Sequence, residues 1–185
     1  FSSPSEFSDL TFKKMKVCLE GGQLTKDPKN PFAGIAEVMV VRSKFIDCSK
    51  AGILIANYNS LDWWIWDSWF ENNNYGVTNG GTTDLEGAGN FFIYQSVFSN
   101  SKKADVQVGS TSFFTVRDSY SLNSKTFYTS NNIGATAQVT LQRNTILDPQ
   151  DDVAIQIGNM GTYLILENVI RRGPGASGAV IDGTG

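Results

Sequence analysis

Residues 63–70 read WWIWDSWF, and the same pattern of apolar and polar residues returns along most of the sequence. The serine of this stretch is one of six polar anchors. Apolar residues stand three and five positions before every anchor, and two positions after five of the six. The anchors are Ser43, Ser68, Ser96, Ser119, Asn144 and Asn168, separated by 25, 28, 23, 25 and 24 residues. A repeat of this length is typical of a solenoid.

Within each repeat the apolar residues recur at every second position, which is typical of strands with one buried face. A second short strand follows each anchor and a third begins soon after it, as in the segments 52–55 and 105–108. Three strands per repeat without a helix predict an all-β right-handed parallel β-helix of about six to seven coils, each 23–28 residues long. The alternative, a β-sandwich, would not keep its columns in register at one period. The anchors are expected to form a ladder of Ser and Asn side chains inside a tight turn.

Composition excludes several kinds of chemistry. The chain has 185 residues, a net charge of −3 and no histidine. A Ser-His-Asp triad, a Cys-His pair and a His-ligated metal site are therefore excluded for this chain alone. The absence of a basic stripe argues against nucleic-acid partners, and no apolar run approaches the roughly 20 residues of a membrane span. No cofactor is predicted, because Asp84 and Glu86 in the long loop 79–89 are too few for a calcium site.

The two cysteines, Cys18 and Cys48, are 30 residues apart. Two thiols make neither a disulfide framework nor a zinc-finger spacing. Two interpretations stay open, a pair of small buried residues or a single bridge. We favour buried thiols, because free cysteine behaves as a small hydrophobic residue.

The repeats occupy residues 36–185, and residues 1–35 form either an irregular segment or a first coil that includes Leu10, Phe12 and Val17. Solenoids need polar caps because each coil buries its neighbour, and neither end of the sequence offers one. We therefore expect a β-helix that is truncated at its C-terminal end. Its ends would be covered by more of the same chain or by a second copy in a homo-oligomer.

The segments 66–73 (WDSWFENN) and 94–100 (YQSVFSN) resemble the pectate-lyase-like superfamily of right-handed β-helices, over residues 36–182. That superfamily includes polysaccharide lyases, glycoside hydrolases, esterases, epimerases, tailspikes and adhesins, so the resemblance implies a fold but no single activity. It implies a polysaccharide partner and an extracellular or periplasmic location. In polygalacturonase-like members a paired Asp enters the third strand, and the segment 151–155 (DDVAI) looks similar.

One candidate site lies where the third strand of a coil begins. Asp105 and Asp152 each precede the first apolar residue of that strand. Coils stack about 4.8 Å apart, so these carboxylates, two coils apart, are expected to be roughly 10 Å from each other. Such a separation suits an inverting glycosidase, whereas a lysine between them suits the base of an elimination. The catalytic candidates are Asp105, Lys125, Asp151 and Asp152, and the substrate-binding neighbours are Gln107, Tyr128 and Gln156. The alternative is that these charges only solvate the corners of the coils.

A second candidate site lies on the strand before each anchor. Its outward positions hold Trp64 and Trp66 in one coil, Phe92 and Tyr94 in the next, and Arg117 after them. Aromatic rings stack on sugar faces, and a guanidinium binds carboxylate or sulfate groups. These five residues are therefore candidates for binding a polysaccharide. The alternative is that the patch is covered by the loop 80–87, by missing chain or by a protein partner.

The sequence leaves two classes of function open. As an enzyme, the chain would be a glycoside hydrolase or polysaccharide lyase that acts where the third strands begin. As a non-catalytic surface module, similar to an adhesin or tailspike, it would bind a polysaccharide through its exposed aromatic residues. In both cases an acidic polymer is one option for the ligand.

Overall fold

A computed structural model describes residues 5–22, 35–56, 60–79, 89–109, 113–130, 137–158, 161–173 and 180–183. This part of the chain contains 21 strands, numbered here in chain order, which build three parallel sheets of seven strands each. Every coil contributes one strand to each sheet. The predicted fold class, an all-β right-handed parallel β-helix with three short strands per coil, is confirmed.

The strands are short, and each sheet takes every third one. The first sheet contains β1 (Ser5–Ser8), β4 (Val38–Val41), β7 (Trp63–Trp66), β10 (Phe91–Tyr94), β13 (Phe113–Arg117), β16 (Gln138–Gln142) and β19 (Thr162–Leu166). The second contains β2 (Thr11–Lys13), β5 (Lys44–Ile46), β8 (Trp69–Glu71), β11 (Val97–Ser99), β14 (Tyr120–Leu122), β17 (Thr145–Leu147) and β20 (Val169–Arg171). The third contains β3 (Val17–Gly21), β6 (Ala51–Ile55), β9 (Tyr75–Thr78), β12 (Ala104–Val108), β15 (Tyr128–Ser130), β18 (Ile155–Gln156) and β21 (Ile181–Asp182).

The core is a set of columns that run along the axis through the middle of the molecule. One column stacks phenylalanine rings, with centroids 5.2 Å apart between Phe12 and Phe45, and 4.9 Å apart between Phe45 and Phe70. Phe98 extends this stack by 4.8 Å. Within the described residues, the five inner strands of each sheet have a neighbour on both sides and the two outer strands have one. Core side chains are accordingly fully buried in the middle coils and only half-buried around β19, as at Ile165.

The predicted ladder of Ser and Asn side chains is confirmed. The backbone N–H of Ser43 donates to Ser68 Oγ at 3.2 Å, and that of Ser68 donates to Ser96 Oγ at 3.2 Å. Further along the axis the amide oxygens of Asn144 and Asn168 accept the same bond from the coil before. Each serine hydroxyl also donates to the carbonyl two residues earlier. The ladder therefore satisfies buried backbone groups at the turn between the first and second sheets.

The residue before each ladder residue, and Asp9 at the equivalent position of the coil before Ser43, have a left-handed backbone conformation, with φ between 46° and 57°. These residues are Asp9, Arg42, Asp67, Gln95, Asp118, Arg143 and Glu167. We call this column the first corner. Its charged side chains pair between neighbouring coils, since Arg42 Nη2 is 2.7 Å from Asp9 and Arg143 Nε is 2.7 Å from Asp118.

Cys18 and Cys48 form a disulfide bond, so the expectation of two unpaired buried thiols is wrong. Cys18 belongs to β3 in the first coil, and Cys48 follows β5 in the second. Stacking of these coils brings their Cα atoms to 5.8 Å, within the range that a disulfide spans. The sequence separation alone did not reveal this neighbourhood.

Among the described residues, no helix combines the length and the apolar character that crossing a membrane requires.

Candidate functional site

Asp105 lies inside the β-helix, so its predicted position in an open groove is wrong. The residue belongs to β12 and has no exposed surface. Ser121 Oγ donates a hydrogen bond to its Oδ2, while Oδ1 has no hydrogen-bond partner among the described residues. The side chain of Asp152, by contrast, is 68% exposed. The two carboxylates therefore do not flank a common cleft, and Asp105 and Asp152 do not form the acid and base of an inverting glycosidase.

The carboxyl of Asp105 fits into the core because the neighbouring coils have small residues beside it. In the coil before it, the same register position is Gly76, where an added Cβ would stand 2.6 Å from the ring of Phe98. In the coil after it, Ser121 replaces the phenylalanine of the inward column and presents a hydroxyl instead of a ring. Phe127, directly before β15 in that same coil, is fully buried in the core.

Burial raises the pKa of Asp105 from 3.8 to about 7, and the hydroxyls of Ser121, Ser124 and Ser101 lower it in part. No charged side chain contributes to this shift. A carboxyl group without a compensating cation favours its neutral form in such surroundings. Asp105 is therefore a titratable group of the core, placed where no substrate reaches it.

Lys125, Asp151 and Asp152 lie together at the exposed turn before the third sheet. Lys125 Nζ is 3.8 Å from Asp151 Oδ2, and Arg172 Nη2 is 3.1 Å from Asp152 Oδ1. The side chain of Lys125 is 54% exposed, whereas that of Arg172 is only 13% exposed. The structure thus brings three of the four predicted catalytic residues together as two ion pairs. Exposed pairs of this kind stabilise a fold by less than about 1 kcal/mol.

The predicted binding residues of the third sheet fall into two groups. Gln107 and Gln156 face outward, where their Oε1 atoms accept hydrogen bonds from Thr78 at 2.9 Å and from Thr129 at 3.0 Å. Tyr128 is fully buried, and burial raises the pKa of its hydroxyl. The expectation that Tyr128 contacts a substrate is therefore wrong.

The four predicted aromatic residues lie together on the outer surface of the first sheet. Strand alternation turns Trp63 and Ile65 inward, which leaves their neighbours half-exposed. Pairing of β7 with β10 places Trp64 beside Phe92 and Trp66 beside Tyr94. The ring centroids of these pairs are 6.3 Å and 4.5 Å apart. We call Trp64, Trp66, Phe92 and Tyr94 the aromatic face.

Arg117 lies at the edge of the aromatic face, on β13. Its register partner is Tyr94, and its guanidinium carbon is 5.0 Å from the centre of that ring. Its Nε is 3.2 Å from Asp118 Oδ2, but Arg143 already donates to both oxygens of Asp118 and holds the pKa of that carboxyl low. Within the described chain neither Nη atom of Arg117 has an acceptor. Arg117 therefore presents unused donors beside the aromatic rings.

An exposed column of outward-facing residues on the second sheet was not predicted from the sequence. Trp69 is 39% exposed and Tyr120 is 54% exposed. The column runs in register from Lys44 through Trp69 and Val97 to Tyr120. In the sequence this column is the residue directly after each anchor. The residue one position later faces inward, so alternation along the strand assigns the column to the outer surface.

Two expectations concern the loop that follows β9. The residues 80–87, expected to cover the aromatic face, lie outside the described residues, and so do Asp84 and Glu86. Within the ranges that the structure does describe, no three His, Cys, Asp or Glu side chains are grouped to hold a metal ion.

Comparison with known proteins returns no match for this chain, whether with protein-family models, with curated proteins or with solved structures. The resemblance to the pectate-lyase-like superfamily is therefore not confirmed, whereas the parallel β-helix with three strands per coil is.

Proposed function

We propose that this β-helix is a polysaccharide-binding module and that the aromatic face is its binding surface. The observation that carries the proposal is the set of four half-exposed rings on two adjacent coils of a rigid sheet. Aromatic rings of this kind stack on the apolar faces of sugars, and binding removes their remaining exposed surface from water. Scattered surface aromatics need no explanation, but a contiguous patch points to an interaction site.

The direction of the ligand and its charge are part of this proposal. Trp66, Tyr94 and Arg117 follow each other along the axis at steps of about 4.8 Å. A glycan that lies along the axis meets two rings and then a guanidinium with unused donors. A planar guanidinium matches the geometry of carboxylate and sulfate groups, which supports an acidic polysaccharide as the ligand.

We assign the protein to an extracellular or periplasmic setting and to the pectate-lyase-like superfamily as part of the same proposal. The disulfide between Cys18 and Cys48 supports the location, because disulfides persist mainly in oxidising compartments. The three-sheet coil and the ladder of Ser and Asn side chains support the superfamily.

Affinity electrophoresis tests the proposal with gels that contain pectin, alginate, xylan or a neutral β-glucan. We expect at least one polymer to retard the protein, and the variant Trp66→Ala to weaken that retardation about 3- to 10-fold, since aromatic contacts contribute roughly 0.5–1.5 kcal/mol. Tyr120→Ala is the matched control, because it removes an exposed ring from a different sheet. Retardation by no polymer, or equal loss in both variants, would overturn the proposal.

A second candidate function is cleavage of a polysaccharide at the exposed turn that carries Lys125, Asp151 and Asp152. The observation in its favour is that a lysine, two carboxylates and Arg172 meet there within ion-pair distance. Incubation with the same polymers, followed at 235 nm and by reducing ends, distinguishes elimination from hydrolysis. Absence of new ends from every polymer would rule this candidate out for the polymers tested.

A further inference from the structure

A cleft of about 270 Å³ lies at the first corner, between the outer surfaces of the first and second sheets. Three consecutive coils line it. Arg42 and Lys44 come from one coil, Asp67 and Trp69 from the next, and Gln95 from the third. The cleft adjoins the aromatic face, since Trp66 directly precedes Asp67 in the chain. Neither the aromatic face nor the turn around Lys125 includes any of these residues.

Trp69 forms an apolar wall of this cleft. Its side chain is 39% exposed, and its Nε1 donates a hydrogen bond to Glu71 Oε2 at 3.1 Å. The bond holds the indole by its edge, so the face of the ring stays available. A fixed and exposed indole is a stacking platform that loses little conformational freedom when a ligand binds.

Three polar side chains around the platform, those of Lys44, Asp67 and Gln95, are exposed to solvent. Within the described chain none of them has a hydrogen bond or an ion pair, although Asp67 is close enough to raise the pKa of Arg42 by its charge. Asp67 and Gln95 have φ values of 47° and 48° and belong to the first corner. The Arg42 guanidinium, in contrast, donates two hydrogen bonds to the carboxylate of Asp9, at 2.8 Å and 2.7 Å. The cleft therefore offers an ammonium, a carboxylate and an amide beside one ring.

The charge and size of the cleft limit its ligand. Among the lining residues Arg42 and Lys44 are positive and Asp67 is negative, which gives a net charge of +1. Asp9, just outside the lining, pairs with Arg42 and brings the sum of the charges around the cleft to zero. The volume is below the roughly 300–1,000 Å³ of pockets for drug-sized ligands. Adjacent sugar hydroxyls can accept from an ammonium and donate to a carboxylate, while the apolar face of the same ring stacks on an indole.

We propose that this cleft binds a neutral pyranose, as a terminal unit or a side branch of the glycan. Trp69 is the stacking platform, and Lys44, Asp67 and Gln95 contact the hydroxyl groups. The inference rests on the proposed function in so far as the protein is a glycan binder, but it concerns a separate site with a ligand of different charge.

Saturation-transfer difference NMR tests the inference, because it detects weak binding of small sugars. The probes are the methyl glycosides of glucose, galactose, mannose and xylose, with methyl galacturonoside as the charged comparison. We expect at least one neutral glycoside to bind, and Trp69→Ala to reduce the signal about 3- to 10-fold. Asp67→Asn should also weaken binding. Tyr120→Ala keeps the signal, because Tyr120 lies in the same outward column but outside the cleft.

The outcomes separate this inference from the proposed function. The double variant Trp64→Ala/Trp66→Ala should lose polymer retardation but keep the signal of the neutral glycoside. If no neutral glycoside binds, if only the galacturonoside binds, or if Trp69→Ala binds as well as the parent protein, the inference is wrong. In each of those cases the polymer gels still test independently whether the aromatic face binds a polysaccharide. Thermal melting of every variant confirms that the compared proteins are folded.

Discussion

Replacing Asp105 by asparagine should stabilise the protein, although it removes a buried hydrogen-bonded residue. Asparagine has nearly the same shape and can still accept a hydrogen bond from Ser121, but it has no charge to desolvate. The carboxyl of Asp105 is fully buried, and no cation compensates its charge. Its ionised form is therefore unfavourable in the folded protein, and the Asp105→Asn variant avoids that cost.

The magnitude follows from the pKa values in the two states. The ordinary pKa of the aspartate side chain is 3.8, and burial raises the pKa of Asp105 to about 7 in the folded protein. Between these values the folded state binds more protons than the unfolded state, so stability falls as pH rises. One pH unit corresponds to about 1.4 kcal/mol. The loss is therefore small at pH 4, reaches about 4 kcal/mol near pH 7 to 8, and stays constant above that.

Urea unfolding at pH 4, 5, 6, 7 and 8 measures this difference directly. The free energy of unfolding of the variant should equal that of the parent protein near pH 4 and exceed it by about 4 kcal/mol at pH 8. In thermal melts this is a gain of roughly 10 °C for a domain of this size. Asp152→Asn serves as the control, because its side chain is 68% exposed and its ion pair contributes less than about 1 kcal/mol. Parallel stability curves for Asp105→Asn and the parent protein at every pH would show that burial does not disfavour the charge of Asp105.

The core, the disulfide and the exposed turn give four further predictions. Phe70→Ala removes a ring from the stacked column and should cost about 3–5 kcal/mol in urea unfolding; a loss below about 1 kcal/mol would contradict the inward column. Gly76→Ala should cost about 1–3 kcal/mol, because its Cβ would stand 2.6 Å from Phe98 and from a backbone oxygen, and an unchanged melting temperature would show that the coils are not so tightly stacked. Reduction of the Cys18–Cys48 bond should cost about 3–4 kcal/mol for a loop of this length, which melts with and without a reductant will show. If any polymer is cleaved, Asp152→Asn should abolish turnover without unfolding the protein, and retained turnover would remove Asp152 from the reaction.

The architecture could be predicted because each coil of a solenoid corresponds to one repeat in the sequence. The apolar columns and the ladder from Ser43 to Asn168 recur every 23–28 residues. Each coil of a solenoid packs only against the coils next to it, which are one repeat away in the sequence. The aromatic face could be predicted for the same reason. Alternation within β7 and β10 assigns one side of each strand to the core and the other side to solvent.

The position of Asp105 could not be predicted, because alternation fails where the third strand begins. Asp105 and Val106 are consecutive, yet both are fully buried, and all five residues of the equivalent strand β6 are buried as well. Both residues belong to β12, so alternation within a strand does not account for their burial. Only the register between coils reveals that Ser121 lies beside Asp105 in place of a phenylalanine.

The disulfide and the cleft were missed for a related reason. Cys18 and Cys48 occupy different positions within their coils, and only the stacking of the first coil on the second makes them neighbours. The cleft is lined by residues before and after the turn between the first and second sheets. A repeat column contains one position from each coil, so no single column in the sequence contains the whole lining.

Binding of a polysaccharide to the aromatic face can be observed through the indole N–H signals of the four tryptophans in a ¹⁵N–¹H correlation spectrum. Trp63 is an internal control, because it is 1% exposed and its Nε1 donates to the carbonyl of Ile35. Single Trp→Phe variants assign the signals, and oligosaccharides of the polymer that retards the protein are then added. If the aromatic face binds the glycan, the signals of Trp64 and Trp66 move with saturation while that of Trp63 stays in place. Stationary signals of both Trp64 and Trp66 at saturating ligand would show that the glycan does not bind there.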